Sequence, residues 1–286
     1  MSEAVLAYRF AAAVADCTAL QRQALRRALV VTLTEPRQVA LWEAVRPALY
    51  QDPGPDDAPI ALLRQIADQM PFEAWAAMND LIFELHKGNV FDDRVIPLEG
   101  GGIRHEFGQA ARWEHFLSVL DAEREWLGWE APTLLDVGCW QGTLVVEALQ
   151  RGWEVGATDI STGSVLAVQE RLAMLRPEDR KRFLGFAGSG PAHEILPVDT
   201  RRVGWVKARL YDVVVCQETL EHVQTRYLQA TSDAILASAK HSVLVTAPGW
   251  DDNWSMHLRV FTEEDFLRLF HADTHQGAGL GPPGGG

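Results

Sequence analysis

The chain has 286 residues, 47% of them hydrophobic, and a formal net charge of -13. That is enough length and apolar content for a sizeable core, with residues to spare beyond one nucleotide-type domain. The acidic balance argues against nonspecific nucleic-acid binding, which selects for clustered Lys and Arg, and no apolar run is long enough to span a bilayer.

Residues 1–90 read as a helical region. Glu3 to Thr32 is rich in Ala, Leu, Gln and Arg, Thr34-Glu35-Pro36 opens a helix from Arg37 to Tyr50, and Asp52-Pro53-Gly54-Pro55-Asp56-Asp57 breaks it. Two more helices are expected from Ala58 to Gln69 and from Phe72 to His86, with Gly88 as a stop. Leu62, Leu63, Ile66, Trp75, Met78, Ile82 and Leu85 follow helical spacing and predict the inward faces. This composition suits a packed cap without chemistry, with a substrate-selecting lid as the alternative; the region could also pair two copies into a homodimer.

Residues 91–130 form a linker and lead-in helix. Glu99-Gly100-Gly101-Gly102 marks a flexible join, and Gln109 to Leu127 predicts an amphipathic helix with Trp113, Phe116, Leu120 and Trp126 facing inward.

The chemistry is concentrated in residues 131–272. Leu134-Leu135-Asp136-Val137-Gly138-Cys139-Trp140-Gln141-Gly142 reads as a strand buried on both faces, ending in an acid and a glycine-bearing turn. Gly138 and Gly142 remove side chains that would keep a ligand off the backbone, while Asp136 would repel a pyrophosphate and accept hydrogen bonds from a cationic amino-acid group. G-x-G-x-x-G is absent, which points away from NAD. Trp153 to Thr158 looks like a second buried strand closing on Asp159, 23 positions after Asp136, where an acid can bind a ribose diol.

With both acids in view, the stretch from Leu134 to about Leu269 resembles the class I S-adenosylmethionine-dependent methyltransferases. Tyr211 to Val223 looks like the family's fourth strand and motif, Val243 to Gly249 like its fifth strand, and His257 to Phe266 like the helix start that follows. The resemblance implies a doubly wound, Rossmann-like α/β sheet. It also implies Gly138 and Gly142 at the cofactor's amino-acid end, Asp136 supporting that loop, Asp159 on the ribose hydroxyls, Gln217 beside the sulfonium and Ile160 against adenine. Read alone, Asp159 could be a helix cap, Gln217 a solvated turn residue and Ile160 simple core.

Several features depart from the family. Trp140 stands where a third glycine is usual, and could cover the methionine moiety, shape the substrate mouth or obstruct the pocket. The third strand, Arg182 to Ala187, runs into Gly188-Ser189-Gly190 in place of an adenine-contacting acid, with Ser189 a weak substitute. Pro191 to Arg209 reads as an inserted loop; no strand of the family's terminal antiparallel hairpin fits the composition after Phe270, so either the sequence is cut short or the sheet ends at its fifth strand, and residues 273–286 are expected to be a disordered tail.

A helix starting near Gln217 would put Glu218, Glu221 and His222 on one face, at i, i+3 and i+4. The set resembles the Glu-x-x-Glu-His motif of metal-assisted O-methyltransferases, among them small-RNA terminal 2′-O-methyltransferases, in which a downstream histidine completes the site. His257 is the candidate here, and Mg²⁺ held by these four residues would activate a substrate hydroxyl. Without metal, His222 or His257 could take the proton, with Glu218 also in the catalytic set.

The expected function is methyl transfer to a small-molecule acceptor, with oxygen as the methylated atom. The alternatives are a metal-dependent RNA 2′-O-methyltransferase and a non-catalytic cofactor-binding or scaffold protein of the same fold. Cys17, Cys139 and Cys216 lack metal-type spacing and read as reduced thiols. With no basic segment ahead of the first apolar residues, a cytoplasmic location is expected.

Overall fold

The computed structural model describes residues 3–29, 36–51, 58–86, 94–106, 110–128, 130–186, 210–249 and 256–270. Gly188-Ser189-Gly190, the expected inserted loop at 191–209 and the expected disordered tail lie outside the described residues.

The first helical stretch is two helices, α1 (Glu3–Ala13) and α2 (Ala19–Ala28). Thr18 restarts the chain with a capping box: its hydroxyl accepts the Gln21 N–H at 3.2 Å, and Gln21 Oε1 accepts the Thr18 N–H at 2.8 Å. Such a cap contributes about 1 kcal/mol. α3 (Pro36–Leu49), α4 (Ile60–Asp68) and α5 (Phe72–His86) fall where helical spacing predicts them. The five share one core that includes Phe10, Leu41, Leu63, Met78 and Leu81, all buried. Leu62, expected to face inward, is exposed.

The expected flexible join is a hairpin. β1 (Arg94–Pro97) pairs antiparallel with β2 (Ile103–Glu106), and the glycine run supplies the turn. α6 (Ala110–Leu127) buries Trp113, Phe116 and Leu120 as expected, but Trp126 is 68% exposed. Six residues beyond Leu120, Trp126 is turned about 120° away from it on a helix with 3.6 residues per turn.

β3 (Thr133–Val137) is buried at every position. It is the centre of a parallel five-stranded sheet that also contains β4 (Glu154–Thr158), β5 (Phe183–Phe186), β6 (Tyr211–Gln217) and β7 (Ala239–Thr246), in the order β5-β4-β3-β6-β7. Alternation along the strands serves two cores. Leu134, Val213 and Val215 join the core of α6, α7 (Thr143–Gln150) and α8 (Thr162–Met174). Leu135, Val214 and Cys216 join that of α10 (Thr225–Ser238) and α11 (Glu263–Leu269) on the other face. The short α9 (Pro177–Arg180) leads into β5. Among the described residues no strand follows β7.

The helical region is not a detached cap. Its core takes in Trp140 after β3, Ile160 after β4, and Met256 and Leu258 after β7, so it sits over the carboxyl ends of the strands. No helix among the described residues is long and apolar enough to cross a membrane.

Candidate active site

Gly138 and Gly142, in the turn after β3, adopt left-handed φ values of 77° and 78°. The expected reason for these glycines was room for a ligand; the packing gives another. A Cβ on Gly138 would lie 2.1 Å from Thr219 Oγ1, and one on Gly142 would lie 2.6 Å from Val168 Cγ2. The turn is thus pressed against the segment after β6 on one side and α8 on the other, and of the two glycines only Gly138 borders the cavity described below.

Trp140 also has positive φ, 47°, which costs a bulky residue about 1–3 kcal/mol. It is held by its N–H, which donates to Asp159 Oδ2 at 2.9 Å, and by an edge contact of its ring with Phe83 at 4.9 Å. Behind the turn, the buried Arg171 donates to Gln141 Oε1 at 2.7 Å and Thr143 Oγ1 at 2.8 Å. Its Nη1 lies 3.2 Å from His105 Nε2, and His105 Nδ1 lies 2.8 Å from Glu147 Oε1. An acceptor role for Nε2 leaves Nδ1–H to donate to the carboxylate, which ties the turn to the β1–β2 hairpin.

Asp159, just after β4, accepts both the Trp140 N–H and, at 2.8 Å, the Ser161 N–H. Burial pushes its carboxyl up to about 6 against the pull of those donors. Asp136, within β3, is 3% exposed, and burial followed by the nearby Asp159 charge pushes it up to about 8. Neither acid has a salt-bridge partner among the described residues. Both line the same cavity, as does Ile160.

Gln217, the last residue of β6, has a buried side-chain nitrogen without a partner among the described residues. The helix expected from this point does not form. The Glu218 N–H still bonds to Thr246 O of β7 at 2.9 Å, Glu218 then turns through φ 50°, and Leu220–His222 makes a single 3-10 turn before α10. Glu218 therefore leaves the face predicted for it and meets Arg112 at 3.8 Å. Glu221, His222 and His257 do come together, with ligand atoms within 4.8 Å of one another.

His222 Nδ1 lies 3.0 Å from the Met256 carbonyl and donates to it. Burial, and then His257, hold this imidazole down at about 3, so it is neutral at pH 7 with its lone pair on Nε2. Glu221 is inaccessible, neither carboxyl oxygen has a partner among the described residues, and burial pushes it up to about 8. Of the three, only His222 lines the cavity.

That cavity encloses about 450 Å³. One wall is α5, which contributes Phe72, Trp75, Asn79 and Ile82. Asp80 Oδ1 fastens α5 to the start of α8, accepting from Ser161 Oγ at 3.0 Å and Thr162 N–H at 2.6 Å. Trp75 Nε1 donates to His222 O at 3.1 Å, and Gln224 Nε2 donates to Ala67 O and Met70 O at 3.1 and 3.0 Å.

Residues 135–242 match a family model described as a methyltransferase domain. This α/β unit is a class I, S-adenosylmethionine-dependent methyltransferase domain. No curated protein sequence matches the chain. Among solved structures, the methyltransferase domain of bacterial CtHen1 is 19% identical, with 56% of this chain and 82% of that one covered at a TM-score of 0.42. The glycopeptide N-methyltransferase MtfA complexed with sinefungin is 18% identical, with 40% and 42% covered at 0.33. The bifunctional kinase-methyltransferase WbdD is 14% identical, with 57% and 33% covered at 0.41. The chain thus spans about two fifths of that MtfA chain, and at these scores a likeness decides neither substrate nor activity.

Sequence reasoning about the methyltransferase domain missed Arg171, His105 and Glu147, which lie outside the motif they support. It also missed the contribution of α5, whose apolar spacing reads as ordinary core. The available signal was Asp80, a carboxylate among Met78, Leu81 and Ile82.

Proposed function

We propose that the chain transfers a methyl group from S-adenosylmethionine to a hydroxyl of a small molecule. The observation that carries this reading is a single cavity lined by the buried Asp136, by Asp159 and by His222, whose Nδ1–H is fixed on the Met256 carbonyl. The residues fit the donor. Asp136 would accept from its ammonium group, Asp159 would use its remaining lone pairs on the ribose hydroxyls, and Gln217 would gain a partner near the sulfonium. Ile160 offers an apolar face to adenine. Once bound, the donor supplies a methyl whose bond to sulfur breaks as the bond to the acceptor oxygen forms.

The chain's own part is to align the acceptor, exclude water and receive the proton. The Met256 carbonyl holds His222 by Nδ1–H, so Nε2 is the accepting atom. His257 meets the His222 ring edgewise at 4.8 Å, and Glu218 stays with Arg112 at the cavity wall. A volume of about 450 Å³ falls in the roughly 300–1,000 Å³ range of small-molecule sites. Arg112 is the one Lys or Arg among the described lining residues, a poor surface for a phosphate polymer. Trp140 lines the cavity without filling it, which weighs against the scaffold reading. Cys17, Cys139 and Cys216 are all free and buried, in keeping with a cytoplasmic setting.

One observation favours a second reading. Both Glu221 oxygens are buried and orphaned beside two imidazoles, a set that fits a divalent cation. Glu221, His222 and His257 would hold it, and it would polarise a hydroxyl; two nitrogens and one carboxylate suit a softer ion than Mg²⁺. An RNA 2′-hydroxyl as acceptor belongs with that reading.

Calorimetric titration of the folded chain with S-adenosylmethionine and S-adenosylhomocysteine tests the proposal: both should bind, and absence of either heat would end it. His222→Ala should then lower turnover by about 10²–10⁴-fold with product affinity unchanged. Turnover that survives exhaustive chelation would remove the metal.

A further inference from the structure

We infer that the acceptor is a planar aromatic hydroxyl compound, held in a subsite walled by Phe72, Trp75, Trp113 and Tyr227. The inference rests on the methyl-transfer reading and specifies its second substrate. These four rings come from three helices, α5, α6 and α10, and line the same cavity as His222. Phe72 and Tyr227 meet edge to face at 6.0 Å and 87°, and the Arg226 guanidinium lies over the Tyr227 ring at 4.9 Å, so the aromatic surface the pair turns to the cavity is held in a fixed orientation for a flat guest.

Trp75 is 3% exposed, and its one polar atom is already committed to the His222 carbonyl. Its indole therefore offers only apolar surface, and the same bond ties the aromatic wall to the residue assigned to take the proton. A flat ring against this wall would present its hydroxyl to His222, whereas a sugar or flexible polyol would find few partners. Asn79 spends its Nδ2 on Trp75 O at 2.8 Å, and Arg112 already faces Glu218.

The test uses the full chain loaded with S-adenosylhomocysteine, so that the nucleoside part of the cavity is filled, and titrates 2-naphthol against its saturated counterpart decahydro-2-naphthol. The two share a skeleton and hydroxyl, and the saturated one is the greasier. The expected result is at least tenfold tighter binding of 2-naphthol, with the preference reduced severalfold in Phe72→Ala and Tyr227→Ala, whose rings are half-buried and whose loss the fold should tolerate. Equal affinity for the two alcohols, or a preference untouched in both variants while the nucleoside still binds, would overturn the aromatic subsite and leave methyl transfer standing. Failure of S-adenosylhomocysteine to bind would overturn both.

Discussion

In the turn after β3, the Trp140 N–H, the Gln141 side-chain oxygen Oε1 and the Thr143 hydroxyl are all engaged, by Asp159 and Arg171. In the segment after β6, the Gln217 side-chain nitrogen and both Glu221 oxygens are buried with nothing to bond. Desolvating a polar group without a partner costs about 1–3 kcal/mol, and the second segment carries three such atoms, two of them on one carboxyl, where the first carries one, Gln141 Nε2. The turn is mostly tied down by the chain itself. The segment after β6 leaves more for a ligand to satisfy.

The comparison breaks most visibly at Arg171. Arg171→Met leaves Gln141, Thr143 and the His105–Glu147 pair without their buried cation, at a cost of about 3–5 kcal/mol. A drop in Tm of roughly 10 °C and weaker S-adenosylhomocysteine binding are expected; an unchanged Tm would show the turn does not depend on it. Asp159→Ala should weaken S-adenosylmethionine binding by about 1–3 kcal/mol in titration calorimetry, and unchanged affinity would refute its ribose role.

A pH series tests the buried acids. Asp136 and Glu221, both pushed up to about 8, keep protons at pH 7 that the unfolded chain has released. Stability of the free protein should therefore fall as pH rises from 7 to 9. Below about 6.5 the buried neutral His222, held at about 3, acts in the opposite direction because the unfolded chain takes up its proton. S-adenosylhomocysteine, whose ammonium favours the ionised Asp136, should flatten the decline in Tm between pH 7 and 9; a rise over that window would contradict these assignments. The smallest effect sharpens the contrast: Gln217→Leu, which removes an orphaned amide, should leave the free protein's Tm unchanged or slightly raised while lowering donor affinity by about 1 kcal/mol.

The strand ends were legible because they obey short-range rules. Leu134 to Val137 must be buried on both faces, and Gly138 and Gly142 must tolerate positive φ, although the neighbours that require them, Thr219 and Val168, are remote in sequence. Glu218 shows where such rules stop. Its N–H still pairs with β7 and its φ is 50°, neither compatible with a helix there, so helical spacing placed it on a face that does not exist. Trp126 failed for a simpler reason, an aromatic assumed to be inside when its position on α6 points out. The cap's role at the cavity was invisible because Phe72, Trp75 and Ile82 look the same whether they cover a core or a ligand.

The four residues Asp159 to Thr162 are gripped from two directions. Asp159 turns back on Trp140 and Ser161, while Asp80 of α5 takes the Ser161 hydroxyl and the Thr162 N–H. Nucleoside binding at Asp159, as proposed, and cap docking would thus act on one short peptide, and thermodynamic reciprocity would apply to the pair. Whatever factor a bound nucleoside adds to the hold of α5 on α8, a firmly docked α5 must return to the nucleoside.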